Sequence, residues 1–225
     1  MSNKHEMYDS ERLLYIEMLR AEAFETIPGG LWTFENAAPV TESLCKTKKY
    51  LEKWERFQRE SIGLILIGAP GTGKTYAAAC IANVLLDKGN RVVFVRVSDV
   101  VNHLQCCYGD DRDKYFKRLM SPELLILDDF GAERNTPFAQ ECVLDVIERR
   151  IYTGRSMVIT TNIPPLELKN PPNQDKCRIY GRIMANCAPI IFVENDFRKD
   201  IAAEKQKRAA DIINDTNTED NKWSE

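Results

Sequence analysis

Gly63-Leu64-Ile65-Leu66-Ile67-Gly68-Ala69-Pro70-Gly71-Thr72-Gly73-Lys74-Thr75 decides the fold. An apolar run leads straight into a glycine-rich loop that fits G-x-x-x-x-G-K-[ST] at every fixed position. Residues Thr75–Leu86, with helical periodicity, follow directly. Glycines let the backbone turn tightly enough for several N–H groups to point at one phosphate chain. The helix starting near Lys74 adds its positive end, Lys74 reaches the β- and γ-phosphates, and Thr75 offers a hydroxyl to magnesium. Gly68, Ala69, Pro70, Gly71, Thr72, Gly73, Lys74, Thr75 and the adjoining Tyr76 are therefore the candidate nucleotide-binding residues. The bland alternative is a chance glycine-rich turn, and the strand–loop–helix context weighs against it.

Working outward, short aliphatic or β-branched runs recur at Ile62–Ile67, Val92–Val97, Leu124–Leu127, Met157–Thr160 and Ile190–Val193. Segments of helical period separate them: Thr75–Leu86, Val100–Leu119 and Phe138–Tyr152. Apolar strands spaced by helices make a parallel sheet covered on both faces. Ahead of the sheet, Met7 to Phe24 predicts a helix stopped by Ile27-Pro28-Gly29-Gly30, Leu31–Pro39 an extended arm, and Thr41–Glu60 a second helix. The expected division is an amino-terminal helical arm over 1–30, an α/β core over 31–200, and a charged helix with a disordered tail over 201–225.

A second acidic element is Leu124-Leu125-Ile126-Leu127-Asp128-Asp129. Four aliphatic residues bury a strand, and two carboxylates emerge at its carboxyl end, where open α/β sheets place ligands. Asp128 can hold magnesium through water, and Asp129 can orient or deprotonate an attacking water. Neighbours on a strand point to opposite sides, so the two acids can take separate tasks. Together with the phosphate loop, the pair predicts an NTPase that uses ATP and Mg2+.

Composition narrows the alternatives. The 225 residues carry a net charge of −3, with 44% hydrophobic and 29% charged residues. That balance excludes a fibre and a wholly disordered chain, and it argues against coating nucleic acid through bulk charge. Apolar stretches such as Leu64–Ile67 are far short of the roughly 20 residues that cross a bilayer. The start, MSNKHEMYDSER, has no apolar secretion core. Seven cysteines without C-x-x-C fit reduced thiols in a cytoplasm. His5 and His103 have no metal-ligand partner at useful spacing.

The phosphate loop GAPGTGKT, the strand LLILDDFG, the strand MVITTN and the segment RIYGRI occur in that order. Together they resemble the AAA+ ATPases of the DnaC/DnaI helicase-loader type and their relatives, the IstB transposition ATPases, from about Ile27 to Arg198. The resemblance implies a three-layer P-loop sandwich with a five-stranded parallel sheet. It also implies ATP hydrolysis with magnesium, loading of a replicative helicase onto single-stranded DNA, and self-association into open rings or filaments. Asn162 matches the sensor amide that bonds the γ-phosphate and the attacking water. Arg182 matches the arginine that reaches a neighbouring subunit's ATP, with Arg178 its companion, and Arg198 resembles a late arginine that senses nucleotide. Lys74, Asp129, Asn162 and Arg182 are thus the expected catalytic set, and Thr75 and Asp128 the metal-holding pair. Two other readings stand beside the loader: a transposition helper, and a nucleotide-switch adaptor that seldom hydrolyses. The sequence departs from the family in its single cysteine ahead of the loop, a short amino-terminal extension, and little room for a helical lid after Arg198.

Between the second and third strands, His103–Met120 interleaves Arg112, Lys114, Lys117 and Arg118 with Tyr108, Tyr115 and Phe116. That pattern can track and stack single-stranded DNA, or it can be a solvated helix face. The apolar stripe of Met7–Phe24 can grip a partner helix or pack on its own core.

Overall fold

A computed structural model describes residues 2–25, 29–37 and 39–214. Ile27 and Pro28, expected to stop the first helix, and the expected loose tail 215–225 lie outside the described residues. The chain runs α1 (Ser2–Ala23), α2 (Glu42–Glu52), α3 (Trp54–Arg59), β1 (Gly63–Gly68), α4 (Lys74–Asp87), β2 (Val92–Arg96), α5 (Val97–Cys106) and α6 (Asp110–Met120). It continues with β3 (Leu124–Phe130), α7 (Pro137–Tyr152), β4 (Met157–Thr161), α8 (Pro165–Lys169), α9 (Gln174–Asn186), β5 (Cys187–Phe192) and α10 (Phe197–Asn214).

The five strands form one parallel sheet in the order β2-β3-β4-β1-β5. Alternation along each strand sends residues to two separate cores. Leu64, Leu66, Phe94, Leu124, Ile126 and Val158 pack against α1, α2 and α4. Ile65, Ile67, Val95, Leu125, Leu127 and Ile159 pack against α5, α6, α7 and α9. This is the expected three-layer sandwich. Each fully buried aliphatic side chain contributes about 1.5–3 kcal/mol, which is why the central strands read as unbroken apolar runs.

Helix starts follow local chemistry. The hydroxyl of Thr41 accepts from Leu44 N at 3.1 Å, that of Thr136 from Ala139 N at 3.2 Å, and the amide of Asn173 from Lys176 N at 2.9 Å. Each satisfies a donor that the helix itself leaves open.

Three expectations need correction. The helix expected over Thr41–Glu60 breaks at Lys53, whose ψ of 17 caps α2 and starts α3. The helix expected over Val100–Leu119 is two helices, because Gly109 takes φ 53 and redirects the chain. The last strand begins at Cys187 and runs through Pro189, which a sheet tolerates because β5 is an edge. Among the described residues, no helix is long and apolar enough to cross a membrane.

Candidate nucleotide site

The loop between β1 and α4 is shaped by two left-handed glycines, Gly71 at φ 82 and Gly73 at φ 91. A side chain at Gly71 would also collide with Asp196, whose Oδ1 lies 1.7 Å from where a Cβ would sit. The Thr72 hydroxyl donates to Ala69 O at 2.9 Å and closes the turn. No side chain caps α4 at Gly73, so the first-turn N–H groups stay available to an anion.

Lys74 is only 5% exposed. Its ammonium donates to Gly68 O at 2.9 Å, Ala69 O at 2.7 Å and Asn162 Oδ1 at 2.7 Å, using all three of its donors. Desolvation pulls its pKa down to about 8, against the opposing pull of Asp129 and Asp128. A buried cation poised on loop carbonyls can exchange those partners for phosphate oxygens.

Asp128, on β3, is 2% exposed. Its Oδ1 accepts from the Thr75 hydroxyl at 3.0 Å and from the Thr160 hydroxyl at 2.7 Å. Burial pushes its carboxyl up, and the hydrogen bonds from Thr160 and Thr75 hold it down. The pairing of Thr75 with Asp128 fits a hard cation, which takes hydroxyl and carboxylate oxygens. Asp129 does not turn to the opposite side of the sheet as simple alternation predicts. Its backbone is left-handed, φ 55, within a bulge between Leu127 and Phe130, and it lines the same cleft as Lys74 and Thr75.

That cleft has a volume of about 490 Å³. Its lining combines polar and loop residues, Gly71, Thr72, Gly73, Lys74, Thr75, Asp129, Asn162 and Arg198, with apolar Trp32, Ala37, Pro39, Leu44, Phe192 and Phe197. Gly68, Ala69 and Pro70 carry the chain into the loop without lining the cleft. Tyr76 lines the cleft and braces the arm: its ring stacks on Trp32 at 5.4 Å between centroids, and its hydroxyl donates to Thr33 O at 2.8 Å. Asn83, buried on α4, donates to Gly29 O at 2.9 Å and Trp32 O at 2.8 Å while accepting from Arg20 Nε at 3.1 Å. The arm is thereby fixed as one wall of the cleft. Trp32, Phe192, Phe197, Asn83 and Thr160 were not among the expected site residues. Trp32 was signalled only as an aromatic in a polar arm and Thr160 only by a doubled threonine before Asn162; Phe192, Phe197 and Asn83 carried no signal.

The arginines divide. Arg198 lines the cleft, and its N–H donates to Asp196 Oδ1 at 3.0 Å. Arg182, on α9, does not line it. Its side chain is 57% exposed and pairs with Glu148 at 3.2 Å. The basic and aromatic stretch also divides. Tyr115 and Phe116 are buried, and Tyr115 stacks on His103 at 3.9 Å. Arg118 pairs with Glu25, Lys114 pairs with Asp111 at 3.0 Å, and Tyr108 alone of the three aromatics is exposed. The interleaved stacking ladder is therefore not presented. Of the α1 stripe, Ile16, Leu19 and Ala23 are buried, while Leu13, Leu14, Tyr15 and Met18 are exposed.

Fold and site together define a P-loop nucleotide-binding protein of the AAA+ kind. Residues 46–199 match the IstB-like ATP binding protein family, and the chain belongs to that family. It is 38% identical over 98 residues to the uncharacterized protein YdaV of Escherichia coli (strain K12), covering 43% of this chain and 40% of that protein. It is 27% identical over 181 residues to the replicative helicase loader DnaC of the same strain, covering 77% of this chain and 71% of the loader. The crystal structure of the DnaC helicase loader superposes with a TM-score of 0.60 at 23% identity, covering 72% of this chain and 96% of that one.

Proposed function

We propose that this protein is a magnesium-dependent ATPase that loads a replicative helicase onto single-stranded DNA in the cytoplasm. The observation that carries the ATPase reading is one connected constellation: Lys74 on Asn162 at 2.7 Å, Thr75 on Asp128 at 3.0 Å, and Asp129 on the same cleft. Likeness to DnaC over 77% of the chain supports the loading role.

The residues divide the chemistry. Loop N–H groups and the α4 start bind the phosphates, while Trp32, an aromatic of the cleft lining, offers a face to the base. Thr75 and Asp128 hold magnesium, which when bound neutralises phosphate charge and polarises the γ-phosphoryl group. Asp129 accepts the proton of the attacking water, and Asn162 orients that water while sharing Lys74. Arg182 acts on a neighbouring subunit's ATP, since it is exposed and does not line its own cleft. Arginine suits that task because it keeps its charge and spreads its donors over phosphoryl oxygens. Residues 1–30 serve as the arm, 31–200 as the ATPase core, and 201–225 as the terminal helix and tail.

The family match favours a second reading, a transposition helper ATPase. Capture of a replicative helicase from solution, with and without ATP, separates the two. ATP-dependent capture of the helicase supports the loader, and capture of a transposase alone supports the helper. Asp129→Asn tests the chemistry: it should keep ATP binding and lose hydrolysis, and a wild-type rate would sink the assignment.

A further inference from the structure

β3 and β4 are in register at Leu127↔Ile159 and again at Phe130↔Thr161, so Asp128 and Asp129 together stand against Thr160 alone. Asp129 absorbs the extra residue with φ 55, a conformation that costs an ordinary L-residue about 1–2 kcal/mol and suits aspartate better than most. The ladder is interrupted there, and the Thr160 hydroxyl takes its place. It accepts the Asp129 N–H at 2.9 Å and donates to Asp128 Oδ1 at 2.7 Å. One oxygen therefore fixes both the side chain that meets Thr75 and the backbone that aims the next carboxylate into the cleft. Packing does not require it: Thr160 is fully buried, and valine fills the same volume with equal preference for a strand.

We propose that Thr160 is the positioning residue of this site, presetting Asp128 for magnesium and Asp129 for water through a single hydroxyl. The proposal rests on the ATPase reading given above. Its neighbour Thr161 provides the comparison. Equally buried, Thr161 donates to Phe130 O at 2.7 Å and accepts from Ile163 N at 3.1 Å, so its hydroxyl bonds only to backbone.

The test compares Thr160→Val, Thr160→Ser and Thr161→Val in the full chain. Three quantities are read: melting temperature, the Mg2+ concentration giving half-maximal binding of a fluorescent ATP analogue, and kcat with KM. Groups that orient a metal's ligands are worth about 10–100-fold in affinity or activity. Thr160→Val should raise the Mg2+ midpoint and lower kcat by about that factor, leaving magnesium-free nucleotide binding unchanged. Thr160→Ser should restore both to within about threefold. Thr161→Val should melt earlier, as any loss of buried hydrogen bonds does, and keep the wild-type Mg2+ midpoint. Should Thr160→Val not fold, Thr160→Cys, a weak donor of similar size, reads the same quantities. A folded Thr160→Val or Thr160→Cys with the wild-type midpoint and kcat would overturn the proposal. So would a Thr161→Val shift as large as that of Thr160→Val. A wild-type protein that neither binds nor hydrolyses ATP overturns the ATPase reading itself, and is told apart because it needs no variant.

Discussion

Lys74→Met should leave the nucleotide-free protein about as stable as the wild type while abolishing its response to ATP. Desolvation takes the ammonium from its ordinary 10.5 to about 8. At about 1.4 kcal/mol per unit, keeping that charge in the folded state costs about 3 kcal/mol. Its bonds to Gly68 O, Ala69 O and Asn162 Oδ1, at about 1 kcal/mol each, return about 3 kcal/mol of this. The two effects nearly cancel, so removing the charge together with its bonds should move the melting temperature by no more than roughly 2–4 °C for a chain of this size. Methionine fills the space left by the lysine stem without leaving a charge to solvate. The assay is thermal unfolding with and without Mg2+ and ATP. Wild type should gain about 2.7 kcal/mol at a hundredfold excess of ATP over its Kd, and Lys74→Met should gain nothing. A Lys74→Met protein that melts well below wild type without nucleotide would refute the reasoning. In that case the lysine braces the loop, and its burial carries no strain held for phosphate.

Asn83→Leu should release the arm, because it removes the bonds that tie Gly29 O and Trp32 O to α4; nucleotide affinity should fall about tenfold, with hydrolysis at saturation little changed, measured as KM against kcat. Arg150→Met should be among the most damaging changes far from the cleft. The buried guanidinium donates to Ser156 O, Met120 O, Pro122 O and Glu123 O, and stranding those carbonyls should lower stability by about 4 kcal/mol, seen as a melting shift of about 10 °C.

The phosphate loop was legible because each fixed residue answers a separate need: close approach at Gly68, where a Cβ would lie 2.4 Å from Phe192 O, φ at Gly73, charge at Lys74, a hydroxyl at Thr75. The sheet was legible because its strands are buried on both faces and read as apolar runs. Thr160 was not legible as a site residue, since its part depends on the bulge opposite it, and a bulge leaves no mark in the identity of either aspartate. The direction of Asp129 was misread for the same reason: alternation holds only where the ladder is regular. Nothing in Lys53 announces a helix break, because neither glycine nor proline stands there. Pro189 hid the start of β5, since proline is disfavoured in strands everywhere except at an edge. Tyr115 and Phe116 left two readings open, a stacking ladder or a solvated helix face, when their spacing was weighed against the basic residues alone. Helical periodicity instead turns both into the core. The arm's place as a wall of the cleft depends on Asn83 meeting Gly29 and Trp32 across more than fifty positions, a pairing that local pattern does not encode.

The central claim is that ATP bound by Lys74 and the acid pair of one subunit is hydrolysed with Arg182 of the next. Lys74→Ala subunits keep a sound arginine, and Arg182→Ala subunits keep a sound phosphate loop. The direct measurement is ATPase activity of the two inactive variants mixed at varied ratios, with single-stranded DNA and the helicase present to build the interface. An arginine supplied in trans is worth about 10³–10⁵ in rate for P-loop enzymes. The account predicts activity that rises on mixing and peaks near equal proportions. Demonstrated co-assembly with no activity at any ratio would contradict it.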